Sequence, residues 1–295
     1  MYYNSNMRNI LFFTIYIIFF AVLSSLIFTL LYMQFDEQPM LALNKAIKYG
    51  AILLCVIFIV PAMKLNNLYE RKLVGYLELK LEFIVNICKG FAISLILMIP
   101  LIILFISLGI RTFDFNLFNF DQNFMYTILY ILFISLVISI IEESFFRGIM
   151  IQENSSKMST IKIIIFSSMV YSLFHFIKIP LIVDDNIFWN TGINELSSVF
   201  LNFKDFLIID AAITLLMFGI LLGLIRVNFK TISYGIGIHS GFVFTIKTFK
   251  SNSSLNLESD YIYLLSNYDS FTGHLATIWI TTLILFYLIF IYKKK

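Results

Sequence analysis

The stretch 10–33 contains no charged residue, and further largely apolar runs follow at 49–63, 90–110, 124–141, 161–179, 206–227, 232–249 and 275–292. A helix needs about 20 mainly apolar residues to cross the ~30 Å hydrocarbon core of a bilayer. Backbone polar groups in lipid must be satisfied inside the segment, and helical hydrogen bonds do this. These runs predict an all-α fold: a polytopic membrane helical bundle of about eight transmembrane helices. The first run is too long for a signal-peptide core and lacks a small-residue cleavage site, so it reads as a retained first helix. The whole composition agrees, with 60% hydrophobic residues, 13% charged residues and a mean hydropathy of +0.90, outside the range of soluble domains.

The connections complete the outline. A charged linker at 64–89 is expected on the membrane surface, and Pro100 is expected to kink the third span. Residues 153–159 (ENSSKMS) carry turn signals, and Pro180 closes the fifth span. The stretches 181–205 and 250–273 read as polar loops, the second of them mobile. The chain is expected to be one integral-membrane domain over 1–295, its motif-bearing core at about 124–249.

Eight spans put both termini on one side. That side collects two thirds of the 21 Lys and Arg, so the positive-inside rule predicts cytoplasmic termini. No basic stretch interleaved with aromatics suggests nucleic acid as a partner. Cys55 and Cys88 lie in or beside apolar runs without metal-ligand spacing and read as small packing residues.

Against this background the segment 140–150, IIEESFFRGIM, is anomalous. A charged side chain at the centre of a membrane helix costs about 2.5–3.5 kcal/mol even on lenient scales, so charges there point to function. Glu143 and Arg147 are four apart, in the order that favours a helical ion pair. That leaves Glu142, about 140° from Arg147 around the helix, as the carboxylate available for chemistry; the fourth helix is expected to run on past Arg147 to about 152. The bland reading is a helix-ending ion pair.

Two histidines bear on the choice. The fifth span carries Ser168, Tyr171, Ser172 and His175 on one face, and a polar stripe on a membrane helix faces the bundle. His239 lies among Gly235, Gly237 and Gly241, which permit close helix approach; Gly219 and Gly223 do the same in the sixth span. If both arms of the hairpin around 158 are helical, Glu142 and His175 lie at equal depth, with His239 about 10 Å inside the membrane. A carboxylate with two imidazoles can activate water by proton transfer, or hold a divalent metal such as zinc that activates it. The spacing leaves both open. Asp210 reads as a structural partner or helix-end residue and His274 as interfacial.

These residues resemble the CPBP intramembrane proteases, which include the type II CAAX prenyl endopeptidases. Glu142–Gly148 (EESFFRG) matches the EExxxR motif, 171–175 (YSLFH) is similar to FxxxH with tyrosine first, and 239–243 (HSGFV) is similar to HxxxN with valine last. The resemblance implies a helical bundle with a cavity open toward the cytoplasm, in which Glu142 activates water, His175 and His239 complete the site, and Glu143, Arg147 and Tyr171 support it. In the metal-dependent version, Glu142, His175 and His239 would be the ligands. The implied activity is endopeptidase cleavage of a membrane-associated protein or peptide in the lipid bilayer, in a bacterial cytoplasmic membrane; no residue pattern shows that the substrate is prenylated. The alternative is an inactive relative serving as a membrane scaffold, a regulatory protein or a bacteriocin-immunity-type protein.

Overall fold

Helices α1 (Ser5–Tyr32) and α2 (Leu43–Leu65) run antiparallel, pinned where Tyr16 donates to the Cys55 carbonyl (2.6 Å) and Ser24 to that of Ile47 (2.8 Å). The structure, a computed structural model, describes residues 5–35, 41–68, 70–113, 122–151, 160–176, 187–202 and 208–293. Helix α3 (Lys80–Ser107) keeps Pro100 within an unbroken helix. It already starts inside the stretch expected to lie on the membrane surface, so that linker is shorter than its charges suggest.

Helix α4 (Gln122–Glu142) passes without interruption into a π-helical segment, Glu143–Ile149. The expected α-helix through 152 is therefore replaced by wider turns that end at Ile149; residue 152 and the predicted 153–159 turn lie outside the described residues. Helix α5 (Thr160–His175) is shorter than the run 161–179 because Phe176 is already in a turn, and Pro180 is again outside the described residues. The stretch read as a loop at 181–205 contains an amphipathic helix, α6 (Thr191–Asn202), where Gly192 packs against Thr29, Ser25 and Ile47. Its polar composition concealed it, since only one face is apolar. Helices α7 (Ile209–Phe229), α8 (Ser233–Ser251) and α9 (His274–Lys293) complete the bundle.

Among the described residues, six helices are long and apolar enough to cross a membrane: α1, α2, α3, α4 with its π continuation, α7 and α9. α5 is apolar but shorter. α8 is the least apolar of the long helices and the most enclosed, with Gly235 through Phe242 all buried. Its glycines explain the placement. A Cβ on Gly237 would sit 2.2 Å from the Ile87 carbonyl oxygen, and one on Gly90 would sit 2.7 Å from that of Tyr234. α3 and α8 therefore lie backbone to backbone and parallel, Ile87 beside Gly237 and Ser94 beside Gly241. α5 and α7 cross antiparallel in the same manner, Gly219 against Ser168 and Gly223 against Ile164, the use expected of a small-xxx-small pair.

The stretch 250–273 is ordered rather than mobile. A two-stranded antiparallel ribbon pairs β1 (Arg111–Phe113) with β2 (Ser253–Leu255), Thr112 opposite Ser254. Arg111 donates to the Ser253 hydroxyl and carbonyl (2.8 and 2.9 Å) and to the Ser270 carbonyl (3.1 Å). Asp210 accepts from Ser266 (2.8 Å) and Thr214 meets Thr277 (2.7 Å), so this cap is tied to α7 and α9. Asp210 thus makes the structural contact expected of it.

Candidate active site

The π-helical segment decides how the two adjacent glutamates are used. Its hydrogen bonds skip one residue more than in an α-helix, as where the Met150 amide donates to the Phe145 carbonyl (3.2 Å), and such wide turns recur at functional sites. Here the turn sends Glu143 into the protein, 0% exposed, while Glu142 stays 24% exposed.

Glu143 is the anchor. Its Oε1 lies 3.0 Å from Arg147 NH1 and accepts from His239 Nδ1 at 2.9 Å. The Arg147 N–H directions miss that oxygen, so the pair is an electrostatic contact rather than a directed hydrogen bond. The guanidinium lies 4.3 Å from the Tyr171 ring centroid and 3.5 Å from the Gly219 carbonyl oxygen. From outside, Arg226 Nε donates to the Arg147 carbonyl at 3.2 Å, bracing the same turn.

Both histidines are committed through Nδ1. His239, 2% exposed, gives that nitrogen to Glu143; His175, 29% exposed, pairs it with the Tyr171 carbonyl oxygen at 2.9 Å. When Nδ1 carries the donated proton, Nε2 presents its lone pair. The two Nε2 atoms face Glu142 Oε2 at 3.7 Å (His239) and 3.8 Å (His175), too long for direct hydrogen bonds. Glu142 Oε2 is itself buried without a hydrogen-bond partner. Three acceptors surrounding a gap form a place for a small hydrogen-bond donor such as water.

The same three side chains are those that would hold a metal. Their second-shell partners suit that role too, because a metal-bound histidine usually gives its other nitrogen to a carboxylate or carbonyl. Among the described residues, however, no three His, Cys, Asp or Glu side chains are spaced to hold a metal ion. The arrangement as it stands does not fit a preformed metal centre, and no step below runs through one.

Two cavities meet at Glu142. One, of about 510 Å³, contains the trio together with Tyr171, Val243 and, farther along, Lys247, Lys250 and Asp269. The other, of about 340 Å³, is an apolar crevice between α1, α2 and the end of α4, lined by Ala51, Cys55, Ile140 and Phe145 among others. Glu142 is the residue common to both.

All six residues singled out from the sequence therefore converge. Val243 lines the cavity one turn beyond His239 and supplies no donor where the HxxxN pattern has an asparagine. Sequence reasoning missed the second layer. Tyr268, from the cap, donates to the His175 carbonyl at 2.5 Å; burial, then Asp269, pushes its phenol up to about 12, so it remains a donor throughout the neutral range. Glu78 accepts from Asn86, Ser233 and Thr231 (2.8, 2.9 and 2.8 Å) and fixes the start of α8. Neither residue stands in a motif, and neither lies near the site in sequence.

No curated protein and no solved structure matches the chain. One protein-family model does, the type II CAAX prenyl endopeptidase Rce1-like model, over residues 124–245. That interval begins in α4, ends in α8 and holds both glutamates, Arg147 and both histidines. Residues 124–245 are thus similar to the family that the three motifs resemble, within a chain whose apolar helices support a multi-pass membrane protein.

Proposed function

We propose that the protein is an intramembrane endopeptidase that hydrolyses a peptide bond with water activated by Glu142. The observation that carries this reading is the unpartnered Oε2 of Glu142, buried between two Nε2 atoms whose imidazoles are already oriented. A water in the gap gives one proton to Glu142 and one hydrogen bond to His239 Nε2, which leaves an oxygen lone pair for attack on the carbonyl carbon. The C–O bond forms, and the carbonyl electrons move to the oxyanion. For His175 Nε2 to donate to that oxyanion the ring must be doubly protonated, because its Nδ1–H is already held by the Tyr171 carbonyl. Collapse re-forms the carbonyl, breaks the C–N bond and returns the Glu142 proton to the leaving amine.

Glu143 and Arg147 act through His239. The buried carboxylate holds Nδ1–H, so Nε2 faces the water, and the Arg147 guanidinium lies against the same carboxylate oxygen at 3.0 Å. The substrate is a membrane-associated protein or peptide whose apolar part lies in the α1/α2/α4 crevice, placing its polar flank in the larger cavity. The single domain spans the chain, α5 and α8 also cross the bilayer, and the setting is a bacterial cytoplasmic membrane.

Val243 favours a second reading, a non-hydrolytic scaffold or immunity-type protein, because it removes a donor. Glu142→Gln separates the two: the variant should remain folded, bind substrate and lose cleavage. Undiminished turnover by that variant would exclude Glu142 as the base. An immunity or scaffold phenotype that survives in it, with no cleavage product in the wild type, would favour the second reading.

A further inference from the structure

Two departures from the motifs fall in one cavity. Tyr171 stands where the FxxxH pattern has phenylalanine and Val243 where HxxxN has asparagine, and both line the space around Glu142, His175 and His239. The first adds a hydroxyl donor and the second removes an amide donor, so one change makes good what the other takes away.

The surroundings of Tyr171 leave that hydroxyl free. Its ring lies edge-on to His175, 4.4 Å between centroids, and to His239 at 6.2 Å, with the Arg147 guanidinium 4.3 Å from its centroid. The residue is 1% exposed, and a buried tyrosine hydroxyl ordinarily has a partner. Tyr16, Tyr76 and Tyr268 each have one, in the Cys55 carbonyl, the Ser144 hydroxyl and the His175 carbonyl. Tyr171 engages His175 through its backbone carbonyl, and its phenol makes no hydrogen bond among the described residues. An unpaired donor in the cavity of the water-activating carboxylate is available to charge that develops during the reaction.

Electrostatics favours this donor over the alternative. His175 could serve the oxyanion only as a doubly protonated ring, and that cation would lie 3.8 Å from Glu142 Oε2, weakening the carboxylate as a base for water. A phenol is neutral and keeps its proton through the neutral range. The Arg147 cation over the ring draws on its electron density and strengthens the O–H as a donor.

We infer that Tyr171 is a catalytic residue, supplying the oxyanion donor that Val243 does not. The step rests on the hydrolytic reading. As the water oxygen bonds to the carbonyl carbon, the C=O π pair moves onto the carbonyl oxygen, which accepts a hydrogen bond from the Tyr171 O–H. The phenol keeps its proton, and the pair returns when the C–N bond breaks.

Tyr171→Phe tests this by removing the hydroxyl while keeping the ring against Arg147. Its Tm in detergent should match wild type and its KM should change little, while kcat should fall by about 100-fold, the effect of losing one oxyanion donor. Val243→Asn should then recover about 10-fold or more in the Tyr171→Phe chain and add less to the wild type, because both donors serve one oxygen. A lowered Tm with no such rescue would mark a packing residue and overturn the inference. Wild-type kcat in Tyr171→Phe, beside lost cleavage in Glu142→Gln, would overturn it and leave the hydrolytic reading standing. A second measurement needs no turnover: binding of an apolar dipeptidyl trifluoromethyl ketone, whose hydrate carries two oxygens on a tetrahedral carbon, followed by its fluorine resonance. Wild type should bind it at least about 10-fold more tightly than Tyr171→Phe, while the parent dipeptide amide binds both alike. Equal affinity of the ketone for the two proteins would overturn the assignment whether or not a peptide is cleaved.

Discussion

Replacing Arg147 by alanine takes the cation away from a carboxylate that the bundle holds entirely out of solvent. In the wild type, Glu143 Oε1 has the guanidinium at 3.0 Å and His239 Nδ1 at 2.9 Å; in the variant only the imidazole remains. Breaking a buried ion pair by deleting one partner costs about 3–5 kcal/mol, because the charge left behind is uncompensated. The guanidinium face over Tyr171, 4.3 Å from the ring centroid, is lost with it, and a desolvated contact of that kind contributes up to about 2 kcal/mol. These losses overlap, so about 4 kcal/mol is a fair total against a domain stability of about 5–15 kcal/mol. Thermal unfolding in detergent should show a Tm lower by on the order of 10 °C. Arg147→Lys keeps the charge but loses the flat fork and its stacking, so it should unfold nearer to wild type while cleaving more slowly. The Glu143→Ala/Arg147→Ala double variant, which leaves no stranded charge, should be less destabilised than the two single losses added together. If Arg147→Ala unfolds within about 2 °C of wild type while Glu142→Gln collapses, the structural and chemical roles have been assigned the wrong way round.

Gly237→Ala would drive a Cβ to 2.2 Å from the Ile87 carbonyl and 2.9 Å from the Phe91 amide; backbone cannot yield as a side-chain tip can, so folded yield and cleavage should fall together, and a well-folded active variant would contradict the α3–α8 contact. Val243→Asn restores a donor one turn beyond His239 and should raise kcat, by up to about 100-fold if the amide reaches the oxyanion; an unchanged rate would mean that the position does not face the reacting carbonyl. Exhaustive chelation should leave cleavage intact if Glu142 acts directly on water, whereas loss that added zinc restores would replace the proton-transfer reading with a metal-bound one.

The chemistry-bearing residues were legible because charge in an apolar run is costly and therefore conspicuous. Glu142, Glu143, Arg147, His175 and His239 stood out against their surroundings, and the glycines around His239 announced the close helix contact that α3 in fact makes. The supports were not legible. Tyr268 and Glu78 are ordinary polar residues in polar stretches, and their importance comes only from distant parts of the chain that fold against them. α6 was hidden for a related reason, since a helix with a single apolar face resembles a loop in a search for uninterrupted hydrophobic runs.

What the sequence determined by itself is the class of fold and the residues of the candidate site, because lipid allows few backbone solutions and tolerates few buried charges. What only the tertiary structure decided is direction. An α-helix continued through Arg147 predicts the Glu143 pair correctly, but only the wider π turn places Glu143 behind His239 and Glu142 before it. Likewise, hydropathy proposes spans without saying which of them pack together around a cavity. The cavity around the trio is walled by Met98, Thr214 and Ala276, residues far apart in the chain whose meeting no local pattern encodes.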